Sequence, residues 1–375
     1  MSAGRCRHKT YTVMYAKYLE LLREMVRIPS PSYEEEAVGC LIGRFLDDAG
    51  IAYQTHRGNI ISVNRHFDPA LKTLALDAHI DTVKPNNGYT RDPYDPGNDD
   101  NIIYGLGSND DGGSVVSMMA AYMEFYEKRL AVNLMLILSR EEECSGADGT
   151  KWLFGSDGLF ASGAGGYNKP DWVIVGEPTG MRAATSERGL LVIDGVTRGI
   201  SGHAARGDGD NAIYKAMEDI EKLRNHKFGR LSPTMGEVKL NVTEIQAGQG
   251  HNVIPDLCRF TVDIRPTEQY TNEEIMKELQ AVCKSELRAR NLTNRSSATP
   301  SESLLWRTAE ELGMEFFSSP TTSDWMRIDS EAIKMGPGDS VRSHRADEYI
   351  LTAEIREAIE KYIKFIERFN GNVME

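Results

Sequence analysis

Cysteine is scarce in this chain. Its five residues, Cys6, Cys40, Cys144, Cys258 and Cys283, are odd in number, widely spaced and free of any C-x-x-C pair. A disulfide framework and a thiolate zinc site are both disfavoured, and a reducing compartment fits. Positive charge is also short: 43 Lys and Arg stand against 56 Asp and Glu, a net charge of −13. That balance argues against nucleic acid as a partner, because phosphate binding needs clustered basic side chains. It reads as an acidic cytoplasmic protein with small-molecule ligands. No stretch approaches the ~18–20 apolar residues of a membrane span, so no membrane partner is expected. Met1 to Thr10 is polar, carries Arg5, Arg7 and Lys9, and leads into no apolar segment of the kind a secretory signal needs. Fixed-period repeats and low-complexity tracts are missing as well.

What is present has the balance of a globular protein, 40% hydrophobic and 26% charged over 375 residues. That length implies roughly two or three domains. Ser32 is placed to cap a helix opened by Glu34, Glu35 and Glu36, with Val38, Leu41, Ile42 and Phe45 as its apolar stripe and Gly50 as its stop. Leu74–Ala78, Ala131–Leu138 and Trp172–Val175 read as short buried strands, and Ser114–Tyr126 as a helix between them. Strands alternating with helices predict an α/β domain with a mostly parallel sheet flanked by helices. The texture changes near Thr185. Strands are expected at Leu190–Val196, Glu237–Glu244 and Cys258–Ile264, and helices at Asn211–Leu223 and after Thr271, where Glu274 completes a capping box. This β-α-β-β-α order predicts a smaller, ferredoxin-like α+β insert. We expect a discontinuous first domain, residues 1–183 and 292–375, around an inserted domain, 184–291. Ile355, Ile359, Ile363 and Ile366 then mark the core face of a last helix.

The chemistry-bearing residues sit where these strands end. His79 and Asp81 follow the first buried strand; residues two apart on extended chain share a face, so Asp81 can orient the His79 ring. Alone, H-x-D is common and more often structural. Gly105-Leu106-Gly107-Ser108-Asn109-Asp110-Asp111 opens a helix. A dinucleotide loop needs glycine where Asp110 stands, and a carboxylate there repels pyrophosphate and suits a cation. Glu141-Glu142-Glu143 and Gly176-Glu177-Pro178-Thr179 each follow an apolar strand, and Ser343-His344-Arg345-Ala346-Asp347-Glu348 follows the turn Gly336-Pro337-Gly338-Asp339. Singly these are solvated turns. Together they converge on the strand ends, where open α/β sheets bind ligands. On their own, His203 and Arg265 read as a satisfied structural histidine and a surface ion pair. The histidines at 8, 56, 66, 226 and 251 suggest no role.

In this order the sets H-x-D-T-V, G-x-G-x-x-D-D-x-G, E-E, G-E-P-T and S-H-x-A-D-E resemble the M20 metallopeptidase and deacylase family. That family includes acetylornithine deacetylase, succinyl-diaminopimelate desuccinylase, aminoacylase and carboxypeptidase relatives. The resemblance runs from about Tyr15 to Phe369 and takes in Ser201–Arg206, Asn252–Pro255 and Asp263–Arg265. It implies two metal ions bridged by Asp110, one completed by His79 and Glu177, the other by Glu143 and His344. Nitrogen and oxygen ligands without thiolate suit Zn2+, with Co2+ or Mn2+ as substitutes. The resemblance further implies Glu142 as general base, Asp81 as the partner of His79, and His203 as stabiliser of the oxyanion. It places Arg188, Asn252 and Arg265 at the substrate, and a cis peptide between Asp110 and Asp111. The insert becomes a lid through which a homodimer forms, with His203 reaching the partner's metal site.

The implied reaction is cleavage of the amide of an N-acyl amino acid. S-G-H-A-A-R, G-P-G-D-S and S-H-x-A-D-E-Y lie nearest the texture of the acetylornithine deacetylases, which points to N-acetylornithine. N-succinyl amino acids and dipeptides are the alternatives. A non-catalytic protein of the same fold and a nucleotide-dependent oxidoreductase are the competing classes; Glu142 with all five ligands argues against the first, and Asp110 against the second. Cys144, Asn109 and Trp325 depart from the family pattern. Cys144 reads as a small buried side chain or an oxidation-sensitive neighbour of the metals. Trp325, after Pro320–Asp324, borders a stretch expected to line the substrate pocket.

Overall fold

A computed structural model describes the backbone of residues 3–375 and the side chains from Tyr15 onward. Met1, Ser2 and the side chains of the polar segment read above, Cys6 included, lie outside the described residues. The chain divides into two compact units. One comprises Met1–Thr185, Thr299–Phe317 and Ser323–Glu375; the other comprises Ser186–Ala298 and Ser318–Thr322. In chain order the strands include β1 (Gln54–His56), β2 (Asn59–Val63), β3 (Thr73–His79), β4 (Asn133–Ser139), β5 (Trp172–Val175), β6 (Ala183–Glu187), β7 (Leu191–Arg198), β8 (Lys239–Ala247), β9 (Leu257–Arg265), β10 (Glu286–Ala289) and β11 (Glu331–Lys334).

The sheet of the first unit has the order β1-β2-β4-β3-β5-β11-β6. Its four central strands, β4, β3, β5 and β11, are parallel, and β1, β2 and β6 join antiparallel at its sides. Parallel strands are covered on both faces, which is why β3 and β4 are buried at every position and read as continuous apolar runs. Alternate residues still part to opposite faces. Leu74, Leu76, Leu134 and Leu136 join one core with Val116, Met119, Ile355, Ile359 and Phe365. Ala75, Met135, Ile137 and Val173 join another with Leu153, Phe160 and Trp325. Each fully buried Leu or Ile contributes roughly 1.5–3 kcal/mol. The helices Gly113–Phe125 and Thr352–Met374 supply the first core's outer layer.

Two local features differ from the sequence reading. A long helix, Ala3–Val26, opens the chain and buries Tyr15, Tyr18, Leu22 and Met25. The spacing of Tyr15, Tyr18, Leu22 and Met25 is that of one helix face. The helix after Ser32 spans Glu36–Asp48 and has no side-chain cap. Its N-cap is Glu35, so Ser32 stands before the capping position, and Ser32 Oγ donates to Asp81 Oδ2 at 2.6 Å. Gly50, at φ +70°, follows that helix as expected. Among the described residues no helix is long and apolar enough to cross a membrane.

The second unit carries a four-stranded antiparallel sheet, order β8-β9-β7-β10. Along β7 buried and half-exposed residues alternate, the pattern of a sheet covered on one face. The covering helices are Ala212–Asn225, capped by Asn211, and Asn272–Val282, capped by the Thr271–Glu274 box. Ile193, Phe260 and Val262 pack with Ala212, Ala216, Ile275 and Leu279. β10 adds one strand to the expected β-α-β-β-α order. A two-residue ladder, Gly202–His203 with Val253–Ile254, lies apart from this sheet.

Candidate metal centre

Because β4, β3, β5 and β11 run parallel, their carboxyl ends share one edge of the sheet, and the residues that follow them meet there. β3 ends on His79, β4 leads into Glu141–Glu143, β5 into Glu177, and β11 into the turn before His344. The fifth segment is the loop into helix Gly113–Phe125. There Gly107 holds φ +77°, and a Cβ would stand 2.5 Å from Thr82 Cγ2, so only glycine lets the chain turn so close to β3. The loop delivers Asp110, which is 8% exposed. The Asp110–Asp111 peptide is cis, as the resemblance implied.

Asp110 presents its two oxygens to two sets of side chains. Oδ1 lies 3.2 Å from His79 Nε2, and Oδ2 lies 3.7 Å from His344 Nε2. His344 Nε2 is also 2.9 Å from Glu143 Oε2. One ligand-type atom each from His79, Asp110 and Glu177 falls within 4.8 Å of the others, and the same holds for Asp110, Glu143 and His344. Asp81 ties the cluster together. Its backbone oxygen lies 3.0 Å from His79 Nδ1, and its carboxylate, 3.4 Å from the same nitrogen, accepts the amide N–H groups of Glu142 at 3.0 Å and Glu143 at 3.2 Å. One buried carboxylate thus orients a ring and anchors the turn that carries two more acids.

The electrostatics are those of a crowded set of carboxylates. Burial, then neighbouring charge, pushes Glu142 and Glu177 well above the usual range, and Glu143 is raised in the same way. Burial acts against Asp110 too, and the hydrogen bond and charge of His79 more than offset it, leaving that carboxyl low. Buried acids that repel one another and offer oxygen and imidazole donors fit a divalent cation, which relieves both costs at once. Glu142 belongs to neither ligand set, although the charges of His79, Glu177, Asp324 and Glu143 all act on it.

The remaining candidates lie in the second unit. His203 and Asn252 are exposed and adjoin through the short ladder, where the Asn252 carbonyl accepts Ala204 N–H at 3.0 Å. His203 Nδ1 accepts Ala205 N–H at 3.1 Å. Arg265 forks onto Asp263, Nε to Oδ1 at 2.9 Å and Nη2 to Oδ2 at 3.1 Å. Arg188 is buried, and its guanidinium donates to the backbone carbonyls of Glu237, Arg265 and Met235.

Several site residues escaped the sequence reading. Glu348 closed a quoted motif without a role; it is buried and accepts three backbone N–H groups from the Asp110 loop. Asp324, also buried, accepts Ser139 Oγ at 2.9 Å, and burial pushes it up to about 6. Asp111, the second acid of the D-D pair, is buried beside Asp110 and raised to about 8, mainly by burial. One expectation changes. Cys144 is exposed, not buried, its thiol 3.6 Å from the Glu141 carbonyl. Trp325, which follows the Pro320–Asp324 stretch, is 1% exposed and packs in the core with Leu153 and Phe160.

Nitrogen and oxygen ligands gathered at the carboxyl ends of parallel strands, with a free acid beside them, define a metal-dependent hydrolase. The chain belongs to peptidase family M20/M25/M40, whose model matches residues 75–368. It is similar to the acetylornithine deacetylase of Myxococcus xanthus, 28% identical over 327 residues, 82% of either chain. It is also similar to the succinyl-diaminopimelate desuccinylase of Xanthomonas campestris pv. campestris, 25% identical over 95% of this chain and 99% of that one. Among solved structures, Bacillus subtilis YXEP, described as a dinuclear metal binding peptidase of family M20, superposes with TM-score 0.70 at 17% identity, covering 97% of this chain and 98% of that one. The chain is a metal-dependent hydrolase of amide bonds.

Proposed function

We propose that this protein removes the acyl group from an N-acyl amino acid with two divalent cations, zinc foremost and cobalt or manganese as substitutes. N-acetylornithine is the preferred substrate, and N-succinyl amino acids come second. The observation that carries the reading is Asp110, whose two oxygens face two separate ligand sets while Glu142 stands beside both and belongs to neither. His79 and Glu177 would hold one ion, Glu143 and His344 the other. When bound, the ions would polarise the scissile carbonyl and acidify a water. Glu142 takes the proton of the attacking water and returns it to the leaving nitrogen as the C–N bond breaks, which leaves a carboxylic acid and a free amine. Asp81 keeps His79 in one orientation. His203, exposed and carried on a short ladder, is the donor to the carbonyl oxygen.

Arg265 is assigned to the substrate carboxylate, since the fork onto Asp263 uses its Nε and one Nη2 hydrogen and leaves the end-on pair of N–H groups for two parallel bonds. Arg188, committed to three backbone carbonyls, is assigned to the structure of the inserted unit instead. That unit is also the proposed homodimer surface and lid, and its exposed Ile200, Tyr214, Met217, Ile245 and Val253 support such an interface. The free thiols support a reducing, cytoplasmic setting. A panel of N-acetyl and N-succinyl amino acids, assayed with and without zinc, cobalt and chelator, tests the reading. Turnover of N-acetylornithine that needs metal is expected. Cleavage of dipeptides alone would replace deacylation with peptidase activity, and chelator-resistant turnover would remove the metals.

A further inference from the structure

The candidate ligands of the second ion differ from those of the first in what aims them. His79 ends a buried strand, and Glu177 stands two residues beyond another. His344 lies on a loop after β11, its side chain 54% exposed and its backbone at φ +59°. The sheet does not set its direction. Its carbonyl accepts Asn86 Nδ2 at 3.2 Å and Arg342 of the same loop forks onto Glu354, while Asn109 and Glu348 supply the bonds that join this loop to Asp110.

Asn109 is fully buried next to Asp110. Both ends of its side-chain amide engage one backbone residue: Nδ2 donates to Asp339 O at 3.1 Å, and Oδ1 accepts from Asp339 N at 3.0 Å. Nδ2 also lies 3.4 Å from Ser343 Oγ, on the residue before His344. The turn is shaped around this amide. Gly338 holds φ +83°, and a Cβ there would stand 2.3 Å from Asn109 Oδ1. From the other side, Glu348 Oε1 accepts the N–H groups of Asn109 at 2.9 Å and Asp110 at 3.0 Å, and Oε2 accepts that of Gly107 at 3.2 Å. The same turn is fastened to the Glu177 segment, since Gly336 O accepts Met181 N–H at 2.8 Å and Gly336 N donates to Thr179 Oγ1 at 3.1 Å.

We propose that Asn109 and Glu348 form a clasp that fixes Asp110 against the His344 loop, and that they are positioning residues for the second cation, the one held by Asp110, Glu143 and His344. This rests on the two-cation reading above. Asn109 joins the Asp110 loop to the His344 loop, so its loss loosens His344 relative to Asp110 while His79 and Glu177 stay aimed by the sheet. Glu348 holds the backbone of the shared ligand, so its loss reaches both ions. Residues that orient metal ligands typically govern affinity by about 10–100-fold.

The test is zinc titration of the metal-stripped full chain, followed by calorimetry and by competition with a chromophoric chelator. Co2+ absorption reports the ligand geometry, and the thermal midpoint of each metal-free protein reports folding. The wild type is expected to take two ions. Asn109→Ala should keep the first ion unchanged and weaken the second by about 10–100-fold. Gly338→Ala, which displaces the amide without touching Asn109, should repeat that selective loss and serves if Asn109→Ala does not fold. Glu348→Gln puts a donor where the loop offers only donors, and should weaken both ions. Two ions bound by Asn109→Ala and Gly338→Ala with wild-type affinity would overturn the clasp and leave the two-cation reading standing. Equal weakening of both ions in those two variants would overturn it as well. A wild type that binds no second ion would overturn the two-cation reading itself, and the clasp with it.

Discussion

The two units hold their candidate residues in opposite ways. In the first, several candidate ligands are held by other residues of the cluster: Asp81 holds His79 and the Glu142–Glu143 turn, and Glu348 holds the Asp110 loop. In the second, His203 and Asn252 are exposed on a two-residue ladder, and Arg188 is absorbed by backbone carbonyls. A cation site needs several donors fixed at once, so its residues constrain one another. A residue that meets a substrate needs access, and access leaves few internal contacts to identify it. Chemistry is therefore far better defined than specificity.

The sharpest contrast between the units is a base against a donor. Glu142→Gln should lower kcat by about 10²–10⁴ while both ions remain bound, because it removes a proton acceptor and no ligand. Metal analysis beside steady-state kinetics checks this, and wild-type kcat in the variant would cancel the assignment. Glu143→Ala should lose one ion. His203→Ala should cost about 10²–10³ in kcat with metal content intact, the usual penalty for one oxyanion donor. Mixed Glu142→Gln and His203→Ala chains should regain part of the activity if His203 serves a partner's site. Verified heterodimers without recovery would confine His203 to its own chain.

Arg265 and Arg188 break the comparison inside the second unit. Arg265→Ala should raise KM by roughly 10–100-fold, the loss of a charge-assisted hydrogen bond of about 1.5–3 kcal/mol, with kcat nearly kept. Arg188→Ala should instead orphan the buried Met235 carbonyl at about 1–3 kcal/mol, remove the bonds to Glu237 and Arg265, and lower the thermal midpoint. A rise in KM for Arg188→Ala without loss of stability would return that residue to the substrate.

Much of the first unit was legible in the sequence because strand ends carry the candidate ligands, and apolar runs such as Leu74–Ala78 announce where strands end. His79, Glu143 and Glu177 come after such runs, Asp110 lies in a turn with glycine, and His344 follows the glycine turn Gly336–Asp339. Asn109 and Glu348 were hidden for a physical reason: their partners are backbone groups some 230–240 residues away in sequence, and no local pattern reports them. The backbone carbonyls that hold Arg188 were hidden too, because an arginine's charge is visible in a sequence and its burial is not. Ser32 misled, since the carboxylate that captures its hydroxyl, Asp81, lies 49 residues on.

The smallest expected effect concerns what keeps the second unit folded. Asp219, on the helix Ala212–Asn225, is 1% exposed and shares its carboxylate among four donors. Oδ2 accepts Lys284 N at 2.9 Å, Ser285 N at 2.6 Å and Ser285 Oγ at 2.7 Å, and Oδ1 accepts Lys222 Nζ at 2.8 Å. It thereby fastens the link between helix Asn272–Val282 and β10. Burial opposes the charge, and the bonds from Lys222 and Ser285 outweigh it, so the folded carboxyl titrates below its usual range. The sign follows. A depressed folded pKa contributes stability that is present above the unfolded value, near 3.9, and is lost as pH falls through the folded one. Asp219→Asn keeps the shape but turns two of its N–H donors toward groups that already donate, at about 1–3 kcal/mol. Thermal midpoints of wild type and variant should differ most near pH 7 and converge as the pH drops below about 4. A gap that stays constant across that range would mean the side chain acts by packing alone and that its charge contributes nothing.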